Sequence, residues 1–405
     1  MTLVVAIAIA TSLALTPLAK QLAWRFNAVS HPDGRRKTQA RPTPVWGGGS
    51  VYLALLLAVT VAYLFTWGRG PGLRLPAALA LSAGMLCVLG CYDDLFDMNA
   101  RWKLFWQIVS TLPIVLAGGA VDRLILLGYP FELGFAGIAF TMAWLVLGIN
   151  ALNLLDGMDG LASVVGVGIA VAIAVIAANH GDSAVFLLAM ILVGALAGFL
   201  VYNLPPARIY LGDCGSMIIG VTLALLVLRV SLVDETSTAS FSTAVALLFI
   251  PILDTTLAIT RRTLQGKSPM AADRGHVHHR LLDRGFSIWQ VLGILGGLCL
   301  TTGAIAWMMY VAGLELLGWA ALGTLIVLLV NRQLVGHVEW RLTKQFVQQT
   351  TVRLVRRLSR TETSIRLRTI APPIPSSQTA DRETADATPP VSGVDVRTEE
   401  PKVAA

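Results

Sequence analysis

Along the first 331 residues, apolar runs of 16 to 23 positions alternate with shorter polar segments. Crossing the roughly 30 Å of hydrocarbon in a bilayer takes about 20 residues of helix. Eleven runs qualify, at approximately 2–19, 48–67, 75–92, 104–121, 134–149, 161–178, 184–202, 214–233, 240–258, 288–310 and 314–331, the run 134–149 being short for a span. They are too long and too uniformly apolar for the alternating strands of a membrane barrel. Backbone groups in lipid must be satisfied within their own segment, so helices are expected. The pattern predicts an all-α membrane protein, a polytopic bundle of about 11 transmembrane helices.

Composition agrees and adds direction. Hydrophobic residues make up 55% of the 405 and charged ones 14%, and the mean hydropathy of +0.69 lies far outside the range of soluble globular domains. Run 2–19 lacks a basic segment before it and has one after it, so a retained first span is expected rather than a cleaved leader. Alternate loops and the C-terminal tail hold 27 of the 31 Lys and Arg, and the other loops hold only Arg69, Arg74, Arg123 and Arg229. This asymmetry predicts a cytoplasmic C-terminus and an external N-terminus. Three divisions are expected: a transmembrane domain over 1–335, a basic amphipathic juxtamembrane segment over 336–360 suited to an anionic leaflet, and a disordered tail over 361–405 rich in Thr, Pro, Ser and acidic residues. The cysteines at 87, 91, 214 and 299 lack metal spacing and read as small apolar residues.

The loops placed inside by charge also hold nearly every unusual polar cluster. In "GCYDDLFDMNARWKLFWQ" Asp93, Asp94 and Asp97 crowd the end of a run, and Lys103 follows. Such carboxylates repel one another unless a cation compensates, and a divalent ion carrying a phosphorylated substrate is the economical partner; a solvated helix end is the plainer alternative. In "NALNLLDGMDG" Asn150, Asn153, Asp156 and Asp159 recur every third residue, a spacing that suits nucleotide recognition but includes two Asp-Gly pairs that could be turns. Asp213 in "YLGDCGS" could be a helix cap or a metal ligand. Pro42, Pro44 and Gly47-Gly48-Gly49 read as a stiff turn followed by bare backbone open to a phosphate.

Three of the six histidines fall in "RGHVHHR", where His276, His278 and His279 mix with Arg274, Arg280 and Arg284. Zinc would want Cys or a carboxylate beside them, and arginines oppose a cation. Phosphate recognition fits better; an imidazole titrates close to neutrality and donates two hydrogen bonds when charged.

In this order, "DDLFD", "NALNLLDGMDG", "YLGDCGS" and "GHVHHR" resemble the polyprenyl-phosphate N-acetylhexosamine-1-phosphate transferases over about residues 25–335. The resemblance implies an active site at the cytoplasmic face, where a UDP-N-acetylhexosamine donates sugar 1-phosphate to undecaprenyl phosphate and UMP leaves. It implies Mg2+, with Mn2+ as its substitute. By motif match Asp93, Asp94 and Lys103 would be catalytic, and Asp213 with Asp94 would hold the metal. Asn153, Asp156, Asp159, Arg274, His276, His278, His279 and Arg284 would bind the donor. Gln39 stands where many members have histidine, so no role carries over there. The histidine loop is more similar to the N-acetylglucosamine branch than to the muramoyl-pentapeptide branch of peptidoglycan synthesis. Partners expected are the donor, the lipid phosphate and the bilayer, with a homodimer as an assembly to consider and no nucleic acid. A transporter would put polar residues in mid-span rather than at the ends, and a non-catalytic scaffold would not need the carboxylates.

Overall fold

The computed structural model describes residues 1–32, 41–67, 74–232, 238–271, 273–336 and 338–352. Arg35, Arg36, Lys37, Gln39 and the expected tail over 361–405 lie outside them. One compact unit covers Met1–Val347. Its helices are α1 (Thr2–Arg25), α2 (Gly47–Ala62), α3 (Arg74–Phe96), α4 (Ala100–Ile114), α5 (Ala136–Leu155), α6 (Leu161–His180), α7 (Ser183–Asn203), α8 (Gly212–Val230), α9 (Phe241–Leu247), α10 (Phe249–Leu264), α11 (Val277–Asp283), α12 (Ile288–Tyr310) and α13 (Glu315–Asn331). A further helix, α14, runs over 338–352. Strands are minor: β1 (Val29–Ser30) pairs with β2 (Thr43–Pro44), and β3 (Arg123–Leu126) pairs antiparallel with β4 (Tyr129–Glu132) and parallel with β5 (Thr238–Ser240).

The chain is an all-α polytopic membrane protein, as its apolar runs predict, although the runs overcount the spans. Among the described residues eight helices are long and apolar enough to cross a membrane, and the α9–α10 pair raises the count to nine. That pair, which replaces the straight run 240–258, is bent by 81°. Pro251 explains the break: its ring would clash with the carbonyl of Leu247 four residues back, so one helix stops there and another starts with Pro251 in its first turn. The run 104–121 begins inside α4, whose first turns carry Arg101, Lys103 and Gln107. The run 314–331 is the shorter apolar helix α13.

Helix α8 is the axis of the bundle. Every residue from Cys214 to Leu228 is buried, and α2, α3, α5, α6 and α7 pack around it. Glycines set how close they come: a Cβ on Gly48 would lie 2.1 Å from the Gly215 nitrogen, and one on Gly90 2.2 Å from the Cys214 nitrogen. Small residues at such crossings let backbones touch, which matters in lipid because apolar side chains gain nothing by leaving it. This contact puts the first turn of α8 against the last turns of α3.

Candidate active site

Four helix ends meet at one end of the bundle: the last turn of α3, the first of α4, the last of α5 and the first of α8. The end of α3 contributes Asp93 and Asp94, and the others contribute Lys103, Asn153 and Asp213 in turn. The Lys103 ammonium donates to Asp93 Oδ2 at 2.7 Å, to Asn153 Oδ1 at 3.5 Å and to Asp213 Oδ2. Asn153 Nδ2 donates to Asp213 Oδ1 at 2.8 Å and to Ser216 Oγ at 2.9 Å. Asp94 Oδ1 accepts from the Asp213 amide at 3.2 Å, and Asp93 Oδ1 accepts from the Met98 amide at 2.8 Å. Two carboxylates, Asp93 and Asp213, therefore share one ammonium, and a third, Asp94, lies beside them on the Asp213 amide. Asp94 Oδ2 is buried and unbonded.

That orphan oxygen matters for a metal. Among the described residues no group of three or more His, Cys, Asp or Glu is arranged to hold an ion, which rules against a closed protein cage. Magnesium rarely uses such a cage; it keeps waters and binds through one or two carboxylates plus substrate phosphates. Asp94 and Asp213, hard oxygen donors with one oxygen left over, fit that mode.

The α5–α6 loop forms the adjoining wall. Burial pushes Asp156 up to about 8, with the charges of Asp213 and Asp159 adding to it, which favours its protonated form in the ligand-free site. Burial also raises Asp159, opposed by the Ala207 amide that donates to its Oδ2 at 2.9 Å. Between these two aspartates lies Gly157, and a Cβ there would sit 2.5 Å from His278 Nε2. The histidine helix α11 thus closes onto the same loop that follows Asn153.

The three histidines have different surroundings. His278 is 1% exposed and neither ring nitrogen has a partner. Burial, then the neighbouring His279, pushes its pKa down to about 3, so it is neutral. Burial and the nearby exposed Arg274 lower His279 as well; its ring centroid is 4.2 Å from that of His278. In the ligand-free site burial thus disfavours the charged form of His278, and the half-buried His279 shifts in the same direction. His276 faces away from the carboxylates: its Nδ1 bonds Asp254 Oδ2 at 2.7 Å, and Asp254 Oδ1 caps the Val277 amide at 2.9 Å. The Arg284 guanidinium donates to the carbonyls of Arg332 and Gln333 beyond α13, at 2.6 and 2.7 Å. It is tied to that turn, not to the carboxylates.

Other sequence expectations resolve as packing. The amides of Gly47, Gly48 and Gly49 already donate to the carbonyls of Tyr210, Leu211 and Trp46, so the triple glycine is no phosphate cradle. Asn150 bonds Gln107 Oε1 and the Val146 carbonyl between α4 and α5. Asp97 is exposed with φ +50 and ends α3. Asp254, which periodicity does not single out, is the one acid in the apolar run 240–258, and an acid in such a run is itself the signal of a polar role.

The comparisons with known proteins agree with this geometry. The family model described as "Glycosyl transferase family 4" matches residues 76–231, from α3 to just past α8. The chain is 33% identical over 286 residues, 69% of its length and 77% of the relative's, to a Bacillus subtilis protein named probable undecaprenyl-phosphate N-acetylglucosaminyl 1-phosphate transferase. It is 34% identical to the decaprenyl-phosphate N-acetylglucosaminephosphotransferase of Mycolicibacterium smegmatis, over 67% of this chain and 73% of that one. A phospho-N-acetylmuramoyl-pentapeptide-transferase of Streptococcus equi is 34% identical over only 48% of this chain and 61% of its own. With helix ends, carboxylates and relatives all in accord, the chain belongs to glycosyl transferase family 4, the polyprenyl-phosphate N-acetylhexosamine-1-phosphate transferases.

Proposed function

We propose that the protein transfers N-acetylglucosamine 1-phosphate from UDP-N-acetylglucosamine to undecaprenyl phosphate and releases UMP, and that it does so at the cytoplasmic face of a bacterial plasma membrane, with the N-terminus outside. The observation that carries this reading is the meeting of the Asp93–Asp94–Lys103–Asp213 centre with the unpartnered His278 ring across Gly157. Acids for a metal lie on one side and neutral hydrogen-bonding rings on the other. A UDP-sugar needs both, because its diphosphate must be neutralised while its nucleoside and sugar are read. The longer alignment with N-acetylglucosamine enzymes than with the muramoyl-pentapeptide enzyme supports the sugar.

In the reaction, an oxygen of the lipid phosphate attacks the β-phosphorus of the donor, a new P–O bond forms, and the bridging P–O bond to the α-phosphate breaks to free UMP. Asp93, oriented by Lys103 and the Met98 amide, takes the acceptor's remaining proton, whose pKa of about 6 makes the transfer easy near neutrality. Asp94 and Asp213 would hold magnesium, which supplies charge neutralisation across the diphosphate. Lys103 then turns from the carboxylates toward the phosphates. Asn153 fixes Asp213, and Asp156 and Asp159 line the nucleoside pocket, the protonated Asp156 acting as a donor.

A donor panel in membranes, with undecaprenyl phosphate as acceptor and UMP release as readout, tests this. Turnover of UDP-N-acetylglucosamine is expected; turnover of UDP-muramoyl-pentapeptide alone would overturn the sugar assignment. His279→Ala is expected to raise donor KM about tenfold with kcat little changed, the signature of lost ground-state binding. Gly157→Ala pushes its methyl into His278, and a donor KM several-fold higher should follow. An unaltered KM in Gly157→Ala would separate His278 from donor binding.

A further inference from the structure

Behind the histidine helix lies a buried cluster of charges that the transfer reaction does not use. Arg261, Arg262, Arg280, Asp254, His276 and Glu339 are each no more than 9% exposed. Glu339 comes from α14, beyond the last long helix, and is 4% exposed. Its Oε1 accepts from Arg280 at 2.5 Å and from Arg261 as well. Arg261 is also held by Asp273 Oδ2, through its Nε at 2.8 Å and its other terminal nitrogen. Asp273 in turn accepts from the Gly275 amide at 2.9 Å. Arg261 lies flat against the backbone at Gly275, where a Cβ would be 2.3 Å from its central carbon. Three stretches of chain therefore converge on one carboxylate: the end of α10, the helix α11 that carries His278 and His279, and α14.

The partners are not equal. Arg261 keeps Asp273 if Glu339 is removed, whereas Glu339 is the only acceptor seen for Arg280 among the described contacts. Arg280 follows His279 directly and lies two positions after His278 on the same short helix. A buried guanidinium deprived of its carboxylate must find water or another acceptor, and a shift of Arg280 toward one pulls on α11, which carries it. Such a movement would shift His278 off Gly157.

We infer that Glu339 is a positioning residue for donor binding: by anchoring Arg280 it seats the histidine helix against the Asp156–Asp159 loop, which makes the first turn of α14 part of the active-site frame. This rests on the reading of the histidines as donor contacts. It also changes the reading of the segment after the last span, whose first turn is locked into the protein while Trp340 and Phe346 stay exposed.

The test uses the full chain in membranes, comparing Glu339→Gln and Glu339→Asp with wild type. Donor KM and kcat are measured together with the rate of trypsin cleavage after Arg274 and Arg284 and with the thermal midpoint. Glu339→Gln should raise donor KM about tenfold, leave kcat within about twofold and speed cleavage in the loop several-fold, with a lower midpoint from the uncompensated guanidinium and all assays run well below it. Glu339→Asp should recover most of the KM. Unchanged KM and cleavage in Glu339→Gln would overturn the inference, as would a lower kcat or midpoint at constant KM. If wild type turns over no UDP-N-acetylhexosamine, the donor reading fails and the cleavage rates still decide whether Glu339 seats the loop. Should Glu339→Gln not accumulate, Arg280→Lys, which keeps the charge and loses the paired nitrogens, is read in the same way.

Discussion

Asp213→Asn removes transfer activity, lowering kcat by at least about three orders of magnitude, and no magnesium concentration restores it. The reason lies in what the substitution keeps and what it takes away. Asparagine retains an oxygen that can accept from Asn153 or Lys103, and it fills the same space at the start of α8, so the helix ends stay assembled. It takes away the charge with which, on the proposed mechanism, Asp213 would offer a metal a second carboxylate beside Asp94. In the ligand-free site Asp93 and Asp213 share one ammonium with Asp94 close beside them, so losing one of the three negative charges relieves repulsion. The thermal midpoint of Asp213→Asn should accordingly equal or exceed that of wild type, the usual trade between stability and function at a charged site. Turnover within tenfold of wild type would remove Asp213 from the metal site, and a collapsed midpoint would make it a structural residue.

The helices were legible because each apolar run has one way to satisfy its backbone in lipid. The convergence of Asp93, Asp94, Lys103, Asn153 and Asp213 was legible for a related reason: acids and amides at the ends of such runs, all on one side by charge count, have few places to go. The individual contacts were harder to read. Gly47-Gly48-Gly49 has the composition of a phosphate loop, yet only the crossing of α2 with α8 reveals that its amides are spent on carbonyls. His276 and His278 are two positions apart, and the side from which Asp254 approaches separates a clamped ring from an unpartnered one. Arg284 has the same charge as Arg280, but its reach ends on the turn after α13. Glu339 lies in a basic stretch that reads as lipid-facing, and its burial depends on Arg261 and Arg280, which lie 78 and 59 residues earlier. Periodicity reports which residues share a face of one helix; partners from distant helices leave no such trace.

Lys103→Met should make the stability of the folded protein depend on magnesium. The ammonium holds Asp93 and Asp213 and is itself only 16% exposed. Without it the clustered carboxylates keep only amide partners: Met98 for Asp93, Asn153 for Asp213 and the Asp213 backbone for Asp94. Removing one member of a buried ionic group costs about 3–5 kcal/mol when the remaining charge is uncompensated, and these acids are partly open to water, so the lower end applies. A divalent cation can replace the missing charge. In wild type the same cation must first displace Lys103, so its stabilising effect is smaller. Thermal unfolding with and without magnesium should therefore show a midpoint several degrees below wild type in chelator, with most of the deficit recovered in millimolar magnesium. Activity should not recover with it, because the metal then occupies the place from which Lys103 would approach the phosphates. A variant whose midpoint ignores magnesium while wild type responds would mean that Lys103 helps to build the cation site; restored turnover would mean that the lysine only fills the ligand-free site.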